Sequence, residues 1–305
     1  MTRKVAVVTV GRSDFGLLTP VLQKIDADPA LELQLVVSGA HLSPEFGWTN
    51  QEIEKAGFRA AETVDMLLSA DTPAAISKSA GLASIGFAQA WDRLQPDLIV
   101  LLGDRFEMHA AAMSAVPFRI PLAHIHGGEL TLGAIDEAFR HSITKFSHLH
   151  FAATTEYANR IIQMGEEPWR VTVSGAPGLD LLQTIDLPEQ SEIENRLDCQ
   201  FHEKPLLVTY HPVTLQFEQA AWQAEQLCAA LAEFDRPVII TKPNADTNGR
   251  IIIQRLEEFA GRCSNVRLVD NLGSRMYFGV AAQAAAMAVV VPPLRSGNRA
   301  PKVSR

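Results

Sequence analysis

Short apolar runs rich in valine, isoleucine and leucine alternate along this chain with longer stretches whose apolar residues recur at helical spacing. In the first half the apolar runs cover residues 5–10, 33–38, 97–102, 121–126 and 149–153. The stretches between them include residues 17–25, 74–94, 106–115 and 135–145. Continuous apolar strands that alternate with helices are typical of a parallel sheet covered on both faces. The pattern therefore predicts an α/β fold.

A second series of strand and helix patterns begins near residue 170. Its apolar runs cover residues 171–174, 205–210, 238–242 and 266–269. The acidic and polar stretch 187–197 has no strand pattern and is interpreted as an inserted helix. We therefore expect two domains, residues 1–170 and 171–305, with the boundary near residue 170.

Length, charge and cysteine content narrow the class of protein. The 305 residues are enough for two domains with cores of their own. The net charge of −8 argues against a nucleic-acid or anionic-membrane partner. No apolar run approaches the roughly 20 residues that span a bilayer, and the first residues do not resemble a signal peptide. Cys199, Cys228 and Cys263 form no CxxC pair, so we expect reduced thiols in a cytoplasmic protein.

Acidic and histidine side chains follow two of the predicted strands. Asp104 comes directly after one apolar run, and the segment His124-Ile-His-Gly-Gly-Glu129 ends the next. Asp136 and Arg140 begin the helix that comes after it. In an open parallel sheet ligands bind at the carboxyl ends of the strands, so we expect these groups to share one cleft. Such a set of groups suits proton abstraction and donation on a bound small molecule.

Each of these residues also has a structural interpretation. Asp104 is placed to cap the following helix. His124 and His126 are two residues apart on a strand, where the alternation of side chains puts both on one side, as core histidines or as metal ligands. No third ligand with tight spacing follows, so we expect no metal. The spacing of Asp136 and Arg140 permits a simple salt bridge.

Further polar groups stand at other strand ends. Gly11-Arg-Ser-Asp-Phe-Gly16 opens a helix, where free N–H groups and Arg12 suit a phosphate, although an ordinary turn explains it equally well. The segment is neither GxGxxG nor a P-loop, so no nicotinamide or Walker-type ATP site is predicted. In the second half His211 follows one strand, where it is placed to point across the cleft between the domains, although a turn histidine before Pro212 explains it equally well. Asn244 and Asp246 follow the next strand and are placed to meet a phosphate or sugar.

Taken together, these motifs resemble the hydrolysing UDP-N-acetylglucosamine 2-epimerases of sialic-acid and legionaminic-acid synthesis. The resemblance extends to about residue 287. The segments that carry it are Gly11–Gly16, Val37–Gly47, Gly103–Arg105, His124–Glu129, Asp136–Lys145, His211-Pro212, Asn244–Thr247 and Asn271–Gly273.

The resemblance implies two Rossmann-like domains in the GT-B arrangement, with the UDP-sugar between them and no cofactor. In that family UDP leaves C1 as a base removes the proton at C2, and water then adds to a 2-acetamidoglucal to give N-acetylmannosamine. Asp104, Glu129 and Asp136 match the catalytic carboxylates, with Asp104 leading for the C2 proton. Arg12 matches the phosphate-contacting arginine and His211 the active-site histidine. The family also suggests a homo-oligomer.

Five further residues are expected to contact the substrate, but the resemblance assigns no separate role to any of them. They are His124, His126, Arg140, Asn244 and Asp246.

After Met287 the motifs stop. The family continues with a serine-rich phosphate loop and a glutamate for the ribose, whereas residues 290–305 contain Arg295, Arg299, Lys302 and Arg305 and no acid. We therefore expect a frameshifted or truncated second domain, with weak UDP binding and little activity.

Three other functions compete with this one. A close variant acts on UDP- or GDP-N,N'-diacetylbacillosamine. A GT-B glycosyltransferase would pass the sugar to an acceptor, and the carboxylate cluster argues against it. A non-catalytic fragment would bind a sugar or a partner subunit only.

Overall fold

The computed structural model describes residues 2–46, 48–70, 72–210, 218–242, 249–270 and 272–290. The chain divides into two compact units. The first comprises Met1–Thr131 and Asp136–Thr184, and the second comprises Leu132–Ile135 and Ile185–Arg305. Each contains one parallel sheet in its described part.

The first unit is built on a seven-stranded sheet in the order β3-β2-β1-β4-β5-β6-β7. All of its described strand pairs are parallel. The strands are β1 (Arg3–Thr9), β2 (Leu31–Ser38), β3 (Ala60–Val64), β4 (Leu98–Leu102), β5 (Leu122–Ile125), β6 (Leu149–Ala152) and β7 (Val171–Val173).

Helices cover both faces of this sheet. They are α1 (Arg12–Ala27), α2 (Asn50–Lys55), α3 (Pro73–Leu94), α4 (Phe106–Ala115), α5 (Asp136–Phe146), α6 (Thr155–Gln163) and α7 (Pro177–Thr184). Alternate residues of β1 enter opposite cores, Val8 with Phe87 and Trp91 of α3, and Val7 with Leu18 of α1. This double burial is why the strands are apolar at nearly every position.

The second unit contains a four-stranded parallel sheet in the order β10-β9-β8-β11. Its strands are β8 (Leu206–Tyr210), β9 (Val238–Thr241), β10 (Val266–Val269) and β11 (Ala286–Val290). Its helices are α8 (Gln190–Leu197), α9 (Ala220–Leu231), α10 (Gly249–Arg262) and α11 (Gly273–Gln283). Helices α9 and α10 pack on one face of the sheet, and α8 and α11 pack on the other.

The observed elements agree with most of the pattern but differ in three places. Strand β3 was not predicted, because it is a short edge strand in which exposed positions alternate with more buried ones and Glu62 and Thr63 interrupt the apolar residues. Strand β11 was not assigned either. The run 171–174, predicted to begin the second half, forms β7 and pairs with β6 in the first sheet. The boundary predicted near residue 170 therefore falls inside the first unit, which continues to Thr184.

The described residues contain neither a membrane-spanning helix nor a disulfide bond. No helix there is long and apolar enough to cross a membrane. Cys199, Cys228 and Cys263 are all free thiols.

Candidate functional site

Polar loops of the first unit gather at the carboxyl end of its sheet. Strands β1, β4 and β5 are parallel, so the loops that follow Thr9, Leu102 and Ile125 leave the same edge. The loop after β4 carries Asp104, and the loop after β5 carries His126 and Glu129. The topology thus brings together residues that lie more than twenty positions apart in the sequence.

Arg140 is the centre of this cluster. Its side chain is 7% exposed, and its Nη2 donates to Asp104 Oδ2 and, over 2.9 Å, to Thr131 Oγ1. Its Nη1 donates to the His126 carbonyl over 2.9 Å and to Glu129 Oε2 over 3.5 Å. One buried guanidinium therefore holds two carboxylates from two different loops, which is the planar, forked contact that arginine provides.

His126 and Glu129 form a close pair. His126 Nδ1 lies 2.6 Å from Glu129 Oε1, and the two side chains are 15% and 24% exposed. Strand β5 ends at Ile125, and His126 adopts left-handed backbone with φ of 63°. The strand alternation used to place His124 and His126 on one side therefore does not apply to His126. Left-handed backbone at a non-glycine residue is uncommon and concentrates at functional sites.

His124 is a structural residue rather than a ligand contact. It is fully buried, its Nε2 donates to the Gly103 carbonyl over 2.7 Å, and its Nδ1 lies 3.1 Å from Thr144 Oγ1. Burial lowers the pKa of His124 to about 3, so the ring is neutral. The assignment of His124 to the substrate is therefore corrected, because both ring nitrogens bond inside the protein. The ring instead ties the end of β4 to α5.

Asp136 begins α5 and is partly exposed. Its neighbour Glu137 accepts from the Thr131 backbone N–H over 2.6 Å and contacts His141 Nε2 at 3.1 Å. The first contact holds Thr131 beside the first turn of α5, the helix that carries Arg140. Carboxylates in the first turn of a helix also interact favourably with the helix dipole.

The turn after β1 is held by a buried carboxylate. Asp14 accepts hydrogen bonds from the backbone N–H groups of Val10 and Gly11, over 2.8 Å and 2.7 Å. Burial raises the pKa of Asp14 to about 6, and the two backbone hydrogen bonds oppose this shift. Arg12 stands at the start of α1, where its Nη1 lies 3.8 Å from Glu52 Oε1. The Arg12 side chain is thus partly exposed at the start of α1.

A buried histidine lies behind this turn. His41 Nε2 is 3.0 Å from Thr9 Oγ1, and its Nδ1 is 2.7 Å from Thr49 Oγ1. Burial lowers the pKa of His41 to about 4, so the ring is neutral at pH 7. The ring connects the ends of β1 and β2 to the segment before α2.

The sequence interpretation missed several of these groups. Asp14 and His41 lie inside the quoted motifs but were not singled out, although an acid three residues after a helix-capping glycine is a recognisable signal. Thr131 and Thr144 carry no sequence signal. Thr131 matters only because Arg140 contacts it in the folded chain, and Thr144 only because His124 does.

Three predicted site residues, His211, Asn244 and Asp246, lie outside the described residues. In the ranges that the structure does describe, no group of three or more histidine, cysteine or acidic side chains is arranged to hold a metal ion. The described cluster is therefore one of carboxylates, imidazole and guanidinium, which suits proton transfer beside a bound anion.

Comparison with known proteins gives consistent matches. A family model described as UDP-N-acetylglucosamine 2-epimerase matches residues 23–289. The GDP/UDP-N,N'-diacetylbacillosamine 2-epimerase (hydrolyzing) of Campylobacter jejuni is 39% identical over 287 residues, which are 93% of this chain and 74% of that protein. The UDP-N,N'-diacetylbacillosamine 2-epimerase (hydrolyzing) of Legionella pneumophila is 33% identical over 272 residues, 89% of this chain and 72% of that protein.

The fold is also found in solved structures. The crystal structure of UDP-GlcNAc 2-epimerase from Neisseria meningitidis bound to UDP-GlcNAc superposes with a TM-score of 0.78 at 16% identity, covering 94% of this chain and 77% of that one. This likeness confirms the predicted GT-B class of fold. The chain spans most of the length of these proteins, so the comparisons do not show the expected truncation. Residues 291–305 lie outside the described residues.

Proposed function

The chain belongs to the UDP-N-acetylglucosamine 2-epimerase family, and we propose that it is a hydrolysing 2-epimerase whose substrate is a nucleoside-diphosphate-linked N,N'-diacetylbacillosamine. The observation that carries the chemistry is the clamp of Asp104 and Glu129 by the buried Arg140 at the carboxyl end of the first sheet. The observation that favours this sugar is the 39% identity to a diacetylbacillosamine 2-epimerase over 93% of the chain.

The proposed reaction has two steps. In the first, Asp104 takes the proton from C2, the C1–O bond breaks, and its electron pair leaves with the nucleoside diphosphate. In the second, water adds at C1 of the unsaturated sugar and a proton enters C2 from the other face. The sum is substrate and water converted to nucleoside diphosphate and the free 2-epimer, with no redox change.

The described groups suit this reaction. Asp104 contacts Arg140 and Thr131 through Oδ2, and its side chain is 22% exposed, which leaves the carboxylate accessible to a substrate. Arg12 lies at a helix start and is proposed to neutralise charge on the departing diphosphate. Glu129 and Asp136 are proposed as the other carboxylates of the reaction. Arg140 offsets the repulsion between the two acids that it contacts, Asp104 and Glu129. His211, Asn244 and Asp246 are proposed as further substrate contacts.

A second candidate is UDP-N-acetylglucosamine as substrate, with N-acetylmannosamine as product. The description of the matching family model favours it. The two sugars differ at C4, where N,N'-diacetylbacillosamine carries its second acetamido group in place of a hydroxyl, and at C6, where it lacks the hydroxyl. A site built for the second acetamido group holds it with at least one added polar contact. Such a contact changes specificity by about tenfold or more.

A substrate panel separates the two candidates. The chain is incubated with UDP-N,N'-diacetylbacillosamine, GDP-N,N'-diacetylbacillosamine or UDP-N-acetylglucosamine, and the nucleoside diphosphate and free sugar are quantified. We expect kcat/KM for a diacetylbacillosamine substrate to exceed that for UDP-N-acetylglucosamine by about tenfold or more. The reverse order supports the second candidate, and no turnover of any of the three contradicts both. The Asp104→Asn variant serves as the control for contaminating enzymes.

A further inference from the structure

The imidazole of His126 and the carboxylate of Glu129 are arranged like the orienting pair of a proton-transfer site. Glu129 Oε1 is 2.6 Å from His126 Nδ1. A carboxylate can only accept in this hydrogen bond, so the proton lies on His126 Nδ1. In the neutral ring Nε2 is then the unprotonated nitrogen. The same logic orients the histidine of Ser-His-Asp triads, where an acid fixes the tautomer and stabilises the imidazolium.

Glu129 is itself fully engaged. Its Oε1 contacts His126 and its Oε2 contacts Arg140 Nη1. Both carboxylate oxygens of Glu129 are therefore bonded to neighbouring side chains of the protein. This arrangement suits Glu129 for orienting His126 better than for transferring a proton itself.

His126 is also held in a costly conformation. Its φ of 63° is left-handed, and its carbonyl accepts from Arg140 Nη1 over 2.9 Å. Gly127 and Gly128 follow, and Gly128 is left-handed with φ of 76°. This turn takes the imidazole out of the strand and into the loop that carries Glu129. Backbone strain at a partly exposed polar residue is a pointer to function.

From these contacts we propose, on the basis of the proposed function, that His126 is the second proton-transfer group of the reaction and that Glu129 acts through it as a positioning residue. Epimerisation needs the proton removed from one face of C2 and returned on the other. Asp104 performs the removal. His126 performs the return.

The imidazolium donates its Nε2 proton to C2 of the unsaturated sugar, and the C1=C2 electron pair forms the new C–H bond. Water then attacks the oxocarbenium carbon C1, and the proton it loses passes to Nε2. His126 is therefore an imidazolium again at the end of the step. Asp104 releases the original C2 proton to solvent. The Glu129 carboxylate stabilises the imidazolium throughout.

This division of roles predicts an uncoupled enzyme. In His126→Gln the side-chain amide can still donate to Glu129, but it cannot deliver a proton. We expect free 2-epimer formation to fall by about 10²–10⁴-fold, while nucleoside diphosphate release in the first turnover stays within about tenfold of wild type and the unsaturated sugar is detected. His148→Gln, an exposed histidine just before the start of β6, is the matched control and is expected to retain full activity.

Glu129→Gln tests the positioning role. We expect the double variant His126→Gln/Glu129→Gln to form 2-epimer at a rate within about threefold of that of His126→Gln alone. The effects of two substitutions do not add when the two residues act as a unit. Nitrogen-15 NMR of the histidine rings at pH 8 is expected to show His126 protonated at Nδ1 in wild type and shifted towards the other tautomer in Glu129→Gln.

The outcomes separate this inference from the proposed function. If His126→Gln forms 2-epimer at the wild-type rate, or loses diphosphate release and 2-epimer formation equally, the inference is wrong and the proposed function stands. The Nε2–H tautomer in wild type also overturns it. If the wild-type chain turns over none of the three sugar nucleotides, the proposed function itself fails, and the catalytic role of His126 fails with it.

Discussion

At the residue scale, the site depends on the shape of one side chain. The guanidinium of Arg140 contacts Asp104, Glu129, Thr131 and the His126 carbonyl at once. A lysine ammonium has three donors on one atom and cannot reach all four acceptors in these directions. Arg140 therefore sets the relative positions of the acidic and histidine side chains that we propose to transfer protons.

Arg140→Lys tests this dependence. We expect kcat/KM to fall by about 100-fold or more, and the free energy of unfolding to fall by about 2 kcal/mol, because two partly buried carboxylates lose part of their counter-charge. Steady-state kinetics and thermal unfolding measure the two effects. The control is Arg93→Lys, where the exposed Arg93 pairs with Glu62 over 2.8 Å, and an exposed pair contributes little. Equal effects of the two substitutions would contradict the role given to Arg140.

At the scale of the elements, the parallel strands decide which residues meet. The ends of β4 and β5 lie side by side, and His124 ties the Gly103 carbonyl to Thr144 of α5. The cluster is thus built from loops whose supports are buried strands and a buried histidine. Sites carried on such supports hold their geometry better than sites on free loops.

Helix α3 offers a matched pair of glycines for testing this packing. A Cβ on Gly86 would lie 2.6 Å from Val64 Cγ1 of β3, whereas a Cβ on Gly81 meets nothing within 4 Å. We expect Gly86→Ala to lower the free energy of unfolding by about 1–3 kcal/mol through overpacking. Gly81→Ala is expected to raise it by about 0.5–1 kcal/mol, because alanine is the better helix former. Thermal unfolding decides, and stabilisation by both would contradict the packing of α3 on β3.

Sequence patterns predicted the buried elements and missed those at the margins. The apolar runs of β1, β4 and β5 were recognised because burial on both faces leaves no polar positions. The edge strand β3 alternates between partly buried and exposed residues and gave no comparable signal. The short strand β7 was recognised but given to the wrong sheet, because strand pairing is not encoded in the local pattern.

The sequence named candidate residues for the site but not the contacts between them. Position at strand ends selected Asp104, His126 and Glu129, and position on the helix that follows selected Arg140. The pairing of Arg140 with acids from two loops, and the complete burial of His124, depend on the tertiary approach of α5. No spacing in the sequence reports such an approach.

At the scale of the whole molecule, buried ionisable groups make stability depend on pH. Burial lowers the pKa of His41 to about 4 and that of His124 to about 3. Between pH 7 and pH 5 the unfolded chain protonates both residues and the folded chain does not, which costs about 2 kcal/mol for each. Asp14 acts in the opposite direction. Its pKa is raised to about 6, so at pH 5 Asp14 is protonated in the folded chain but still ionised in the unfolded chain. This difference adds about 1 kcal/mol to the free energy of unfolding at pH 5.

We therefore expect these three groups together to lower the free energy of unfolding by about 3 kcal/mol from pH 7 to pH 5. Urea titrations at the two pH values measure the change. In His41→Asn the loss should shrink by about 2 kcal/mol, because one of the two histidines that titrate only on unfolding has been removed. Stability that rises towards pH 5, or a pH dependence that His41→Asn leaves unchanged, would contradict the buried neutral histidines.

The most direct test of the account is the origin of the hydrogen at C2 of the product. UDP-N,N'-diacetylbacillosamine is turned over by the chain in D₂O, and the released sugar is analysed by NMR and mass spectrometry. We predict one deuterium per molecule, located at C2 of the 2-epimer, with one UDP released for each sugar. Release of sugar that retains protium and its original configuration at C2, or transfer of the sugar to an acceptor without exchange, would contradict it.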